Sequence, residues 1–311
     1  MSPPSARRGA DAFCFQLMLL LCALWGLQQV AIKLAAHDVA PILQASTRSG
    51  IAALLVGLLM TARGGWEGVR QGTVPAGLAA GALFALEFLL IALGLTYTTA
   101  GHIAVFLYTS PVFSALGLHL LIPSERLRPF QWLGIGVCFV GIAVAFVGGA
   151  SFAHMDPRML LGDALGVGAG AAWGATTVVV RTSRLSEAPP ALTLFYQLAV
   201  AFVLLLGVAL ATGQASHVAL TPVAVGSVLF QGVVVSFASY LAWFWLLRRY
   251  LASNLAVFSF MTPLFGVTAG VLVLGEPLTL HFVLGAVLVL GGIGLVSGEA
   301  WLRGLLARSR A

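Results

Sequence analysis

Long apolar runs alternate with short polar interruptions along the whole chain. Runs of about 20 residues, the length of helix that crosses a bilayer core of roughly 30 Å, recur ten times. They lie near residues 14–35, 41–61, 75–96, 100–121, 129–149, 160–181, 190–211, 222–246, 253–274 and 280–299. Pro41, Pro75, Pro129, Pro190 and Pro222 fall at or near the predicted helix starts, where proline's missing N–H leaves no bond unmade. No polar stretch is long enough for a soluble domain. The pattern predicts an all-α integral membrane protein with ten transmembrane helices.

Composition supports lipid as the solvent. Of 311 residues, 60% are apolar and only 8% charged, against about 25% charged in soluble domains. A net charge of +6 would suggest nucleic acid in a soluble protein, but here the basic residues sit in short loops, where membrane topology accounts for them. Cys14, Cys22 and Cys138 lie in apolar runs without ligand spacing and read as small apolar fillers. Arg7 and Arg8 precede an apolar run from Phe13, as in a signal peptide. That run continues to about Ala36 without a small-residue cleavage site, so a retained first helix is expected. Glycines spaced as in Gly134–Gly136–Gly141 and Gly285–Gly291–Gly294 would let helices approach closely in lipid.

The arginines set a direction. With the N-terminus placed in the cytoplasm, 13 of the 16 basic residues fall in cytoplasmic segments, among them Arg63, Arg70, Arg126, Arg128, Arg181, Arg184, Arg248 and Arg249. The opposite loops hold only Arg158, while Lys33 and Arg48 lie within helices. By the positive-inside rule both termini are expected in the cytoplasm, and the protein in a bacterial inner membrane.

The chain repeats itself. Ala104 to Phe113 matches Ala256 to Phe265 without gaps, with Pro111 opposite Pro263. Glu125 then aligns with Glu276, Leu133-Gly134 with Leu284-Gly285, and Gly141-Ile142 with Gly292-Ile293. Upstream, Trp25-Gly26 pairs with Trp173-Gly174, Lys33 with Arg181, Pro41 with Pro190, and Arg48 with Gln197. The expected division is residues 1–152 and 153–311. Five helices is an odd number, so the second copy must thread the bilayer upside down. The loops agree: Ser124-Glu-Arg-Leu-Arg128 carries two arginines, and its counterpart Gly275-Glu-Pro-Leu-Thr279 none. Two inverted five-helix repeats around a midplane site suit alternating access.

At these residues the sequence resembles the drug/metabolite transporter superfamily, EamA type. The resemblance covers essentially the whole chain and is most specific at Leu95 to Ala100 running into Ala104 to Pro111, and at Pro263, Leu274-Gly275-Glu276, Leu284-Gly285 and Gly292. The first half departs from the usual Gly-Glu pair with Pro123-Ser124-Glu125. The resemblance implies an inner-membrane carrier with a cavity between its halves, in a superfamily where many members export amino acids or related metabolites.

Ionisable groups at membrane depth are costly and usually face a cavity or a partner. Trp25, Gln28, Gln29, Ile32 and Lys33 share one face of the first helix. Lys33, the only lysine, either faces the bundle or snorkels to the interface. Arg48, with Gln44 one turn before it, is a candidate to grip a carboxylate with two parallel bonds; the alternative is a structural pair with Glu87 or with backbone carbonyls. Glu87 is a candidate partner of Arg48, of a substrate ammonium, or of a proton exchanged between the two sides. Trp173, Gln197, Tyr240 and Trp243 are candidate linings in the second half, with packing as the competing reading. Pro111 and Pro263, expected inside the fourth and ninth helices, would each kink them as hinges or as static bends.

No cofactor is implied. His102, His119, His154, His217 and His281 show no paired metal spacing, and no phosphate-binding Gly-Lys-Ser/Thr loop is present. The expected function is a secondary active transporter, a probable exporter of small polar or amphiphilic metabolites such as amino acids. A proton is the candidate coupling ion, and the lipid bilayer the other partner. A membrane-embedded enzyme or lipid-holding scaffold is the alternative, and it lacks a Ser/His/Asp or paired-carboxylate set at membrane depth.

Overall fold

The computed structural model describes residues 11–123, 126–147, 156–216, 218–250, 255, 258–259 and 261–308. Ser124 and Glu125, the basic pair Arg7 and Arg8, and much of the 256–260 repeat motif therefore lie outside the described residues.

The described chain is helical almost throughout, in the order the apolar runs predict. Helix α1 (Ala12–Leu34) starts where the Asp11 carboxylate accepts from Cys14 N at 2.8 Å. Helix α2 (Pro41–Arg63) begins at proline and stops at Gly64, whose φ of 70° is the left-handed cap that glycine tolerates. Helix α3 (Val74–Gly94) follows a one-turn helix at Glu67–Arg70. The fourth segment is two helices, α4a (Ala100–Leu107) and α4b (Ser110–Leu121), separated by Tyr108 and Thr109. Then come α5 (Pro129–Val147), α6 (Pro157–Thr182) and α7 (Pro190–Ala211). Helix α8 spans Pro222–Arg249, with the wider π geometry over Phe230–Ser239 between two α-helical ends. Helices α9 (Thr262–Leu274) and α10 (Leu280–Arg308) complete the chain.

Seven of these segments are long and apolar enough to cross a membrane, and α5, α9 and α10 contribute shorter apolar stretches among the described residues. Leu54, Leu58, Leu120, Val203 and Leu272 are each more than half exposed. Such an apolar exterior is stable only in lipid. The fold is an all-α, multi-pass integral membrane fold.

One correction concerns the prolines. Pro111 and Pro263 were expected within continuous helices, but each is the second residue of a helix that follows a turn, α4b and α9. In the first turn a proline costs no hydrogen bond, so these residues start new helices and do not bend old ones.

Helices α2 and α7, α4a and α9, and α5 and α10 pack as antiparallel pairs, and so do α3 and α6, where Gly94 lies on Gly162 while Gly168 lies on Leu90. Gly50 lies on Phe202 while Gly57 lies on Phe195. Gly101 lies on Val267 while Gly266 lies on Ala104. Gly141 lies on Val289 and Gly285, while Gly292 lies on Gly134 and Cys138. Position increases along one helix as it falls along the other. Helix α6 begins beside Thr98, with Gly94 near the Gly162 carbonyl, at the end where α1 finishes. The loops at that end hold few arginines; Arg63, Arg70 and Arg184 mark the other, where the Arg184 guanidinium donates to Gln71 O at 3.0 Å.

The α5–α10 contact is backbone on backbone. A Cβ at Gly292 would sit 2.5 Å from Cys138 N and 2.6 Å from Gly134 O, whereas Gly291 faces open space. Gly292→Val is therefore expected to force the pair apart at about 1–3 kcal/mol and lower the melting temperature in detergent. Gly291→Val should leave it unchanged, and equal melting temperatures for the two variants would contradict this packing.

Candidate functional site

Arg48 is the largest fully buried side chain among the described residues, with 0% exposure. It stands seven residues into α2, about 10 Å from the helix start. Its guanidinium lies 3.7 Å above the Phe88 ring centroid, a cation–π contact that covers one face. Nη1 donates to Gln28 Oε1 and to Ser236 Oγ, both at 3.1 Å. Nε and Nη2 have no hydrogen-bond partner. Those two nitrogens make one edge of the planar fork, and that edge accepts a carboxylate in two parallel bonds.

Glu87 precedes Phe88 on α3. It is 5% exposed, and its Oε2 is unpaired. It lies seven residues before the end of α3, as Arg48 lies seven residues after the start of α2, so both charges sit at similar depth. They are within electrostatic range of each other, and the Tyr240 hydroxyl stands close enough to the guanidinium to interact with it directly, yet no direct Arg48–Glu87 ion pair forms. The ion pairs among the described residues include Lys33–Glu276, His37–Asp38 and His102–Asp163. A buried polar group left unpaired costs about 1–3 kcal/mol, more when charged. A cation edge and a carboxylate oxygen are both left so here.

Aromatic residues stand around this cluster. Trp25 donates through Nε1 to Ser239 Oγ at 2.9 Å and packs edge-on against Trp243. Tyr108 packs edge-on against Trp173, at 5.5 Å between ring centroids. Ser236 and Ser239 both come from the π-helical stretch of α8. π-Helical segments are rare and often mark functional sites.

Other candidates take different places. Gln44 is committed to structure: its Nε2 donates to the carbonyls of Ile32 and Val39, and its Oε1 accepts from Gln231. Gln231 also donates to Ser227 Oγ, which in turn donates to Ala31 O. This clasp satisfies the last carbonyls of α1, groups that a helix end leaves orphaned. Lys33 is 30% exposed and pairs with Glu276 at 3.0 Å, far from either sequence reading of a cavity residue or a free snorkel. Gln197 is half-buried on α7 and takes no part in the hydrogen bonds around Arg48.

Sequence reasoning missed Ser236, Ser239 and Phe88, and it also missed His102 and Asp163. His102 Nδ1 lies 2.9 Å from both Asp163 oxygens, Thr98 Oγ1 donates to the same carboxylate, and the imidazole stacks on Phe282 at 3.9 Å. Asp163, an acid just inside an apolar run, was the available signal. Among the described residues no three His, Cys, Asp or Glu side chains converge as metal ligands.

Because Gln44 is fully engaged, Gln44→Ala should orphan two carbonyls and Gln231 together. The expected loss is roughly 1–3 kcal/mol, read as a lower melting temperature in detergent; an unchanged value would show that the clasp is not structural.

Comparison with known proteins follows the same outline. Residues 13–147 and 160–298 each match the model of the EamA-like transporter family. YoaV, an uncharacterized transporter of Bacillus subtilis, is 24% identical over 87% of this chain and 91% of its own length. Probable amino-acid metabolite efflux pumps of Escherichia coli and Salmonella typhimurium are 26% and 25% identical, over 92% and 89% of this chain and 95% and 92% of theirs. A solved crystal structure superposes with a TM-score of 0.62 at 17% identity, over 92% of this chain and 98% of its own, a likeness of fold.

Proposed function

The chain belongs to the EamA-like transporter family, and from that premise we propose a ten-span carrier that exports a small zwitterion, an amino acid or close derivative, by alternating access. The free Nε–Nη2 edge of Arg48 takes the cargo carboxylate and Glu87 Oε2 takes its ammonium. The observation that carries this reading is the pair of buried, complementary charges that leave each other unpaired. Two relatives, probable amino-acid metabolite efflux pumps of Salmonella typhimurium and Escherichia coli, point to the same chemistry.

The inverted arrangement is part of the proposal. Two pairs of helices that correspond in the sequence repeats, α2 with α7 and α5 with α10, pack antiparallel, as a two-fold axis in the membrane plane requires. The arginine bias puts both termini in the cytoplasm. A carboxylate that holds either an ammonium or a proton links the two fluxes, so Glu87 is also the proposed proton carrier when the cargo has left.

Counterflow in reconstituted vesicles tests this. An amino acid loaded inside should accelerate entry of labelled amino acid, whereas a channel, an enzyme or a scaffold gives no acceleration. Arg48→Lys keeps the charge but loses the fork, and should weaken cargo binding roughly ten- to hundredfold. Unchanged half-saturation would remove Arg48 from the site. Glu87→Gln should abolish accumulation driven by an imposed pH gradient; full gradient-driven transport in that variant would refute its coupling role.

A further inference from the structure

The arginine-poor end of the bundle is knitted shut by acids of the second half that grip one helix start of the first half. The Glu276 carboxylate accepts from Ala100 N at 2.7 Å and from Gly101 N at 3.1 Å, the leading amides of α4a. The same carboxylate takes the Lys33 ammonium at 3.0 Å, and Lys33 also donates to Thr98 O at 2.9 Å. Two residues on, His102 and Thr98 are held by Asp163 of α6. Contacts at Lys33, Thr98, Ala100, Gly101 and His102 therefore join α1, the α3–α4a loop and α4a to α6 and the α9–α10 loop.

The seat is shaped for this carboxylate. Glu276 Oε2 lies in a notch between Gly101 and Gly270, and a methyl group on Gly270 would overlap it. Glu276 N donates to Gly270 O at 3.2 Å, and Gly275 turns the chain there with a φ of 65°. The contact is polar, and its lysine is part-exposed at the rim. Water arriving from that side can rehydrate each group as it separates, so the contact is reversible in a way an apolar seam is not. The clamp joins the two halves that a rocking carrier must part at this end.

We propose that Lys33 and Glu276, with the amide start of α4a, form the gate that closes the arginine-poor mouth above the Arg48–Glu87 site. The proposal rests on the carrier reading, and it makes Glu276 a transport residue remote from the cargo. The Asp163–His102–Thr98 contact is the second bolt of the same gate.

The test uses the full chain with its three cysteines replaced by alanine and Tyr240→Cys as a reporter, in sealed vesicles of each orientation. A membrane-impermeant methanethiosulfonate is added from the arginine-poor side or from the other. Glu276→Gln removes the charge without adding bulk, and Gly270→Ala evicts the carboxylate while keeping both charges. Each should raise reporter labelling from the arginine-poor side by roughly fivefold with no rise from the opposite side. Labelling at the rate of the parent protein in Glu276→Gln would overturn the gate, and Gly270→Ala should agree wherever it folds. Counterflow by the unsubstituted chain reads the carrier function separately. Its absence would count against transport, while the labelling rates would still decide whether this end is held closed by Glu276.

Discussion

A guanidinium cut off from water has to be held by the protein, and how it is held determines what it can bind. Arg48 is tied at Nη1 by Gln28 from α1 and Ser236 from α8, and is covered on one face by Phe88 from α3. Three helices fix its plane, and the remaining edge is unpaired. The fork has little freedom to swing toward Glu87 and neutralise itself. The charges stay separated, and under the proposed function the site keeps its demand for a zwitterion at the expense of some stability, a common trade at functional sites.

The bundle exists to hold that arrangement. Antiparallel pairing of α2 with α7 and of α5 with α10 brings glycines against bulky side chains or backbone, giving rigid walls where the hydrophobic effect supplies no drive between helices. The breaks before Pro111 and Pro263 fall where α4a and α9 cross. Polar clasps collect at the arginine-poor end: Gln44 on the end of α1, Asp38 with Thr221, Asp163 with His102, and Glu276 with Lys33. Apolar packing governs mid-depth, and separable charges govern the rim.

Much of this was legible in the chain, and the residues that were not share a reason. Helix existence and ends were local properties, so the run at 190–211 and the proline start at Pro41 reappear in α7 and α2. The inward placement of Arg48 and Glu87 followed from the cost of charge in lipid. Gln44 was misjudged because one turn of spacing looks the same whether the amide faces a cargo or caps a carbonyl of Ile32, twelve residues away. His102 and Asp163 are 61 residues apart, and a lone histidine carries no sign of its partner. Ser236 and Ser239 depend on a π-helical stretch that a 3.6-residue pattern does not encode. Pro111 reads identically as a kink or as the first turn of a new helix.

The central claim is that Arg48 and Glu87 together recognise opposite charges on one small molecule. Its most direct test is equilibrium binding to the purified protein, by thermal shift, of the amino acid that stabilises it most in a panel. That ligand is compared with its methyl ester and its N-acetyl derivative. The account predicts that only the intact zwitterion raises the melting temperature and that each blocked form fails; equal stabilisation by the ester or the N-acetyl compound would contradict it.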